Sequence, residues 1–239
     1  MEPKDRIILA IDEPLASIAH WIIKEFIGKV GGFKLGSIAI SHGYAFELIE
    51  AIKKQKKIVF WDPKFHDTPD TMLKSVRGIS LQGVDWISVH ASAGLEGIKS
   101  AVSARIRSLI FGATVLSSFN TSGCFDIWGG LPEDKVLQFA DFLLEGSAQG
   151  IITSPRELKL LSSTAKYYGL IKAAVGIRPL WAPPDDQRRY MTPTEAIKAG
   201  ADYLVIGRAI THPPREPYEV CTPESALEAV IKEITRAQV

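Results

Sequence analysis

Along the chain, short apolar runs rich in Val and Ile alternate with longer amphipathic stretches. That alternation is the mark of repeated βα units around a parallel sheet. Eight runs predict strands, at residues 6–12, 32–37, 57–64, 85–91, 109–117, 150–154, 169–176 and 202–207. Helical patterns fall between and after them, at residues 15–27, 44–54, 71–82, 135–145 and 224–236. Eight units of roughly 30 residues match the size of a (β/α)8 barrel. The expected fold is therefore α/β, a single (β/α)8 TIM-barrel domain over residues 1–239, with an open doubly wound sheet as the plainer alternative. No Pro/Ser-rich linker, charge block or low-complexity tract divides the chain.

A barrel of this kind has a packed interior and places its chemistry at the C-terminal ends of its strands. Polar residues collect there. The first strand ends in Asp12, the second carries Lys34, and the third ends in Asp62 and Lys64. The fourth ends in His90, the fifth in Ser117, and Arg208 follows the eighth. Residues two apart on a strand face the same side, so Asp62 and Lys64 are expected to point together into the mouth, with Trp61 and Pro63 directed away. Asp67 lies past the strand end, within reach of this mouth or a neighbouring subunit's.

A second group follows strands seven and eight: Val175 to Arg178, then Asp186, Gln187 and Arg188, and finally Ile206, Gly207 and Arg208. Those two loops are where many barrels bind phosphate. A glycine admits the close approach of backbone, an arginine offers forked donors to phosphate oxygens, and a glutamine amide can close over the anion from a mobile loop.

Composition narrows the partners. The chain is 46% hydrophobic and 23% charged, which is globular usage. Its 28 basic and 27 acidic residues leave a net charge of +1, hence no global pull toward nucleic acid or membrane, and any anion must be bound locally. Cys124 and Cys221 lie far apart, without C-x-x-C pairing or histidines at zinc spacing, so neither a disulfide framework nor a metal site is expected and a reducing, cytoplasmic setting fits. No run approaches eighteen apolar residues, and the first one ends at once in Asp12 and Glu13, so neither a membrane span nor a signal peptide is expected. Lys53, Lys54, Lys56 and Lys57 read as a solvated helix end, and Trp61 and Trp86 as packing between barrel and helices. His66 and His90 lie near the mouth without matched metal-ligand partners.

Seven segments taken together carry a resemblance: LAID at 9–12, FKLG at 33–36, DPKFHDTPDT at 62–71, VHA at 89–91, GIRP at 176–179, DQRR at 186–189 and VIGRAIT at 205–211. In this order, over nearly the whole chain, they resemble the orotidine 5′-phosphate decarboxylase family. Asp-x-Lys-x-x-Asp is shared with a wider superfamily, whereas its combination with Gly-Ile-Arg, Asp-Gln and Ile-Gly-Arg is specific.

The resemblance implies a homodimeric (β/α)8 enzyme that converts orotidine 5′-monophosphate to uridine 5′-monophosphate and carbon dioxide without metal or organic cofactor. By similarity, Lys34, Asp62, Lys64 and Asp67 form an alternating charge network, with Asp67 supplied across the dimer interface. Asp62 would face the departing carboxylate, and Lys64 would stabilise the carbanion and deliver its proton. Asp12 would bind ribose, Ser117 the pyrimidine, and Arg178, Gln187, Gly207 and Arg208 the phosphate. Thr68 would line the partner-supplied wall, where an apolar residue is usual, and Thr71 would reach the partner subunit's ligand. Pro63 between Asp62 and Lys64, and Val175 before Gly-Ile-Arg, are further departures; none removes a charged group.

Two other readings stay open. One is a metal-dependent sugar-phosphate decarboxylase or aldolase of the same superfamily, in which an acidic residue on the second strand helps hold magnesium; Lys34 stands at that position here. The other is a non-catalytic barrel that binds a phosphorylated ligand, which would be expected to have lost a charge from the tetrad.

Overall fold

Each of the eight apolar runs becomes a parallel strand in a computed structural model that describes residues 1–214 and 220–238. They are β1 (Ile7–Ile11), β2 (Gly32–Gly36), β3 (Ile58–Phe65), β4 (Trp86–His90), β5 (Leu109–Ala113), β6 (Gly150–Thr153), β7 (Ile171–Ala174) and β8 (Tyr203–Ile206). Each pairs with the next, and β8 pairs back with β1, so the sheet closes into a (β/α)8 barrel. The five helical patterns appear as Ala16–Phe26, Ala45–Lys54, Pro69–Ser80, Pro132–Glu145 and Pro223–Ala237. Gly94–Ala104 is also helical. Its sequence GLEGIKSAVSA buries Gly97, Ile98, Ala101 and Ala104, an apolar stripe of mostly small side chains that leaves a faint periodic signal.

Alternation along each strand sorts the apolar residues into two cores. Ile7, Leu9 and Ile11 of β1, with Phe33 and Leu35 of β2, face outward and pack against Ile22, Phe26 and Leu48 of the surrounding helices. Ile8 and Ala10 face inward, where they meet Phe60, Trp86, Phe111, Ile152, Ala173 and Val205. Trp61 faces outward as expected and packs on Phe46 with ring centroids 5.1 Å apart.

Trp86 corrects the expectation made for it: it lies inside the barrel, not between barrel and helices. It shares its inward direction with Ser88 and His90, two and four residues on, stacks on Phe111 at 4.4 Å and meets Tyr203 edge to face at 4.8 Å. Phe60 closes the group from β3, 5.6 Å from Trp86. Burying each such ring contributes about 1.5–3 kcal/mol. The rings fill the N-terminal half of the barrel, so polar side chains have room only at the opposite end.

A second correction concerns β5. It ends at Ala113, where the Thr114 amide and hydroxyl give the last bonds to the Ile152 carbonyl, and Ser117 lies four residues further on, in the loop. Among the described residues no helix is long and apolar enough to cross a membrane.

Candidate active site

The inward alternation that builds the aromatic core also delivers the charges. Positions 8 and 10 lead to Asp12, position 32 to Lys34, and positions 58 and 60 to Asp62. At the mouth these three meet. Lys34 Nζ lies 3.0 Å from Asp12 Oδ1 and 3.6 Å from Asp62 Oδ2, and Lys64 Nζ donates to the same Asp62 oxygen at 2.8 Å. The order is acid, base, acid, base, with each inner charge between two of opposite sign. Gly36 makes the approach possible, since a Cβ there would stand 2.7 Å from Lys34 Nζ.

Lys64 reaches this position by a different route from simple alternation. The β3–β4 register shifts between Trp61 and Phe65, so that Asp62, Pro63 and Lys64 stand opposite Ser88 alone. Pro63 has no N–H to give the ladder, which suits a bulge. Lys64 takes φ +52° within it, a left-handed conformation unusual for a lysine, and its amide is held by the buried Ser88 hydroxyl at 2.8 Å. Such a conformation costs on the order of 1 kcal/mol and persists where surrounding contacts over-determine it.

The electrostatics follow from burial and from the pairing. Burial alone would lower the Lys34 pKa, but the Asp62 and Asp12 carboxylates more than reverse this and hold it above its ordinary value of 10.5. Lys34 is therefore a permanent cation. Asp62 is only 4% exposed, and while Oδ2 is shared by two ammoniums, Oδ1 is buried with no hydrogen-bond partner among the described residues. His90, beside this group at the end of β4, is pushed down to about 4 by burial, then by His66 and Lys64. It is neutral at pH 7, packed on Trp128 and Phe139, with Nδ1 2.7 Å from the Ser92 hydroxyl.

On the far side of the mouth, Arg178 is buried and donates from Nη2 to Asp185 at 3.0 Å. Arg208, half exposed, reaches the same Asp185 oxygen at 3.5 Å and donates to Asp186. Gln187 meets the Ser117 hydroxyl, which joins the loop after β5 to the loop after β7. Gly176 sits beneath that junction at φ +73°, where a Cβ would lie 2.9 Å from the Arg189 carbonyl and 3.1 Å from the Gln187 side chain. Two adjoining hollows result. They share Lys34, Ser117, Val175 and Gln187; one contains Arg178, Gly207 and Arg208, the other Asp62 and Lys64.

Nine of the residues singled out from sequence thus converge on one cleft: Asp12, Lys34, Asp62, Lys64, Ser117, Arg178, Gln187, Gly207 and Arg208. Asp67, Thr68 and Thr71 do not join them within the same chain. All three are exposed at the start of the helix Pro69–Ser80, where Asp67 accepts from the Thr68 amide at 2.6 Å and the Thr68 hydroxyl meets that of Thr71 at 3.1 Å.

Sequence reasoning gave no role to Arg189 or Glu157. Arg189 is buried and donates to Glu157 and to the carbonyls of Val115 and Leu116, at 2.6 and 3.1 Å for the latter two. Burial raises the Glu157 pKa, and Arg189 pulls it back. The pair braces the Ser117 loop against the stem of the Gln187 loop. Arg189 lies inside the quoted DQRR segment, but its partners are more than thirty residues away in sequence, so local spacing carries no sign of them.

A protein-family model described as "Orotidine 5'-phosphate decarboxylase / HUMPS family" matches residues 5–221. A protein named orotidine 5′-phosphate decarboxylase from Heliobacterium modesticaldum is 36% identical over 225 residues, covering 90% of this chain and 92% of that one. One of the same name from Gloeothece citriformis is 37% identical over 215 residues, covering 87% and 90%. Among solved structures, orotidine 5′-phosphate decarboxylase from Lactobacillus acidophilus superposes with a TM-score of 0.76 at 24% identity, covering 95% of this chain and 98% of the other.

Proposed function

The chain belongs to the orotidine 5′-phosphate decarboxylase / HUMPS family, and on that premise we propose that it converts orotidine 5′-monophosphate to uridine 5′-monophosphate and carbon dioxide in pyrimidine biosynthesis. The observation that carries this reading is the placement of Lys34 Nζ between Asp12 and Asp62, with Lys64 on the other side of Asp62. An ammonium in that position leaves no place for a divalent cation between the two carboxylates, which sets this site apart from a magnesium-dependent sugar-phosphate enzyme of the same superfamily.

In the proposed reaction the bond from C6 of the pyrimidine to its carboxylate breaks, and both electrons stay on C6. The departing carboxylate starts as an anion near Asp62 and leaves as neutral carbon dioxide, so repulsion present in the bound substrate fades along the path. The Lys64 ammonium stabilises the charge growing at C6 and then gives it a proton, becoming a neutral amine. Lys34 holds the Asp62 carboxylate in place while this happens.

Asp12 is placed to bind ribose, Ser117 the pyrimidine, and Arg178, Gln187, Gly207 and Arg208 the phosphate. Binding energy from that remote phosphate can offset the cost of holding like charges together at the reacting carbon. Asp67, Thr68 and Thr71 are exposed and do not line their own cleft, which fits service to a second copy's site in a homodimer. No cofactor, nucleic acid or membrane enters this scheme, and the reaction belongs to the cytoplasm.

The test is the ultraviolet absorbance change of orotidine 5′-monophosphate with chelator-treated protein. Full activity in EDTA is expected; activity lost to EDTA and restored by magnesium would overturn the reading.

A further inference from the structure

The arginines assigned to phosphate already hold anions of the chain itself. One Asp185 oxygen lies 3.0 Å from Arg178 Nη2 and 3.5 Å from Arg208 Nη1, and Arg208 Nη2 donates to Asp186. Two carboxylates therefore face two guanidiniums. A phosphate monoester carries about −1.5 to −2 at neutral pH, close to the summed charge of that carboxylate pair. A dianion brought to the same guanidiniums while both carboxylates stay would meet two like charges a few ångströms away, which is unfavourable.

The segment bearing the carboxylates is held from its ends, by these ion pairs and by Arg178 Nε, which donates to the Pro184 carbonyl at 3.5 Å. At the start, the Arg178 amide bonds to the Met191 carbonyl at 2.9 Å. At the finish, the amides of Arg188 and Arg189 bond to the Ser117 carbonyl at 3.0 and 3.1 Å, above the buried Arg189–Glu157 pair. Between these anchors residues 183–186 are exposed, and Leu180 is 93% exposed. Asp185 adopts φ +51° to present its carboxylate, a conformation aspartate tolerates better than most residues. Arg208 holds the Asp186 carboxyl below its ordinary range, so it is charged at neutral pH.

We propose that Asp185 and Asp186 occupy the phosphate grip as internal anions, so that a phosphorylated ligand enters by displacing them. The inference rests on the phosphate-grip reading above and deepens it. Exchange of two carboxylates for one dianion conserves the ion pairs of Arg178 and Arg208 and returns Asp185 and Asp186 to water. A singly charged ligand can replace only one of the two carboxylates, and an uncharged nucleoside replaces neither. The pair therefore lowers affinity for every anionic ligand of the grip and leaves an uncharged nucleoside unaffected.

Calorimetric titration of uridine 5′-monophosphate, inorganic phosphate and uridine into the wild type, Asp185→Asn, Asp186→Asn and the double variant tests this. Asparagine keeps the shape and suits the same backbone while removing the charge. The double variant is expected to bind uridine 5′-monophosphate and inorganic phosphate about tenfold tighter than the wild type, with each single variant between them and uridine unchanged. Unchanged or weaker binding of the nucleotide in the double variant would overturn the exchange and leave the phosphate grip intact. If instead the wild type binds the nucleotide no better than uridine, the grip itself is wrong and the exchange falls with it.

Discussion

At the β3 side of the cleft the charges ride on strands: Asp12, Lys34 and Asp62 continue the inward alternation of β1, β2 and β3, and Lys64 is fixed by a bulge bonded to Ser88. At the β7 side they ride on loops: Arg178, Asp185, Asp186 and Gln187 lie in the segment after β7, and Arg208 begins the short helix after β8. In the first group Asp62 is buried and Lys34 nearly so, while Asp12 and Lys64 open toward the cleft, and the ion pairs of Asp62 join residues whose backbones are locked in the sheet. The second is partly exposed, and its ion pairs tie a loop to the barrel. Strand-borne charges are prepared in advance for a change of charge at the reacting atom; loop-borne charges suit partners that come and go.

Three measurements press on this contrast, taken from the largest expected effect to the smallest. Lys64→Ala should lower decarboxylation by roughly a thousandfold or more while uridine 5′-monophosphate still binds, because the proton donor is lost and the phosphate grip is untouched. A near-normal turnover would remove Lys64 from the chemistry. Arg208→Ala should weaken uridine 5′-monophosphate by roughly thirtyfold, the scale of a charge-assisted hydrogen bond, and leave uridine within about twofold. Equal losses for nucleotide and nucleoside would show that Arg208 serves the fold and not the phosphate.

The third measurement is a pH dependence of stability at the strand-borne end. His90 falls to about 4 in the folded chain from its ordinary 6.5, so between these values the unfolded chain takes up a proton that the folded chain refuses. Stability from neutral His90 is complete above pH 6.5 and drains away as pH falls toward 4. Allowing for partial exposure, the loss is about 1–2 kcal/mol. Denaturant midpoints for wild type and His90→Gln from pH 7 to pH 4 should move in the variant's favour as pH falls. A constant gap across that range would place the acid sensitivity elsewhere.

The strand-borne end was the more legible in sequence, because a period of two fixes direction once one inward residue is known. Asp12, Lys34 and Asp62 follow from that rule, and Trp86 shows what neglecting it costs, since its parity with His90 already places it inside the barrel. Lys64 satisfies the rule for a reason the rule does not contain: a bulge and a left-handed residue return it to Asp62. The loop-borne end was legible in residue type alone. Arg178, Gln187 and Arg208 could be assigned to an anion, but the Asp185 and Asp186 contacts and the Arg189 brace depend on how a loop folds back. Asp67, Thr68 and Thr71 sit at a helix start outside the cleft, and their proposed use lies on a second chain.

The packed rings of Phe60, Trp86, Phe111 and Tyr203 have a further consequence. Among the described residues they give the well a floor, so the cleft there is a one-door chamber. Under the proposed reaction the incoming nucleotide, the escaping gas and the finished nucleotide all use the same doorway, and the gas, formed at the deeper end, must slip past the bound nucleotide or wait for it to go. Traffic through that doorway is thus a property of the barrel's base as much as of the loops around its rim.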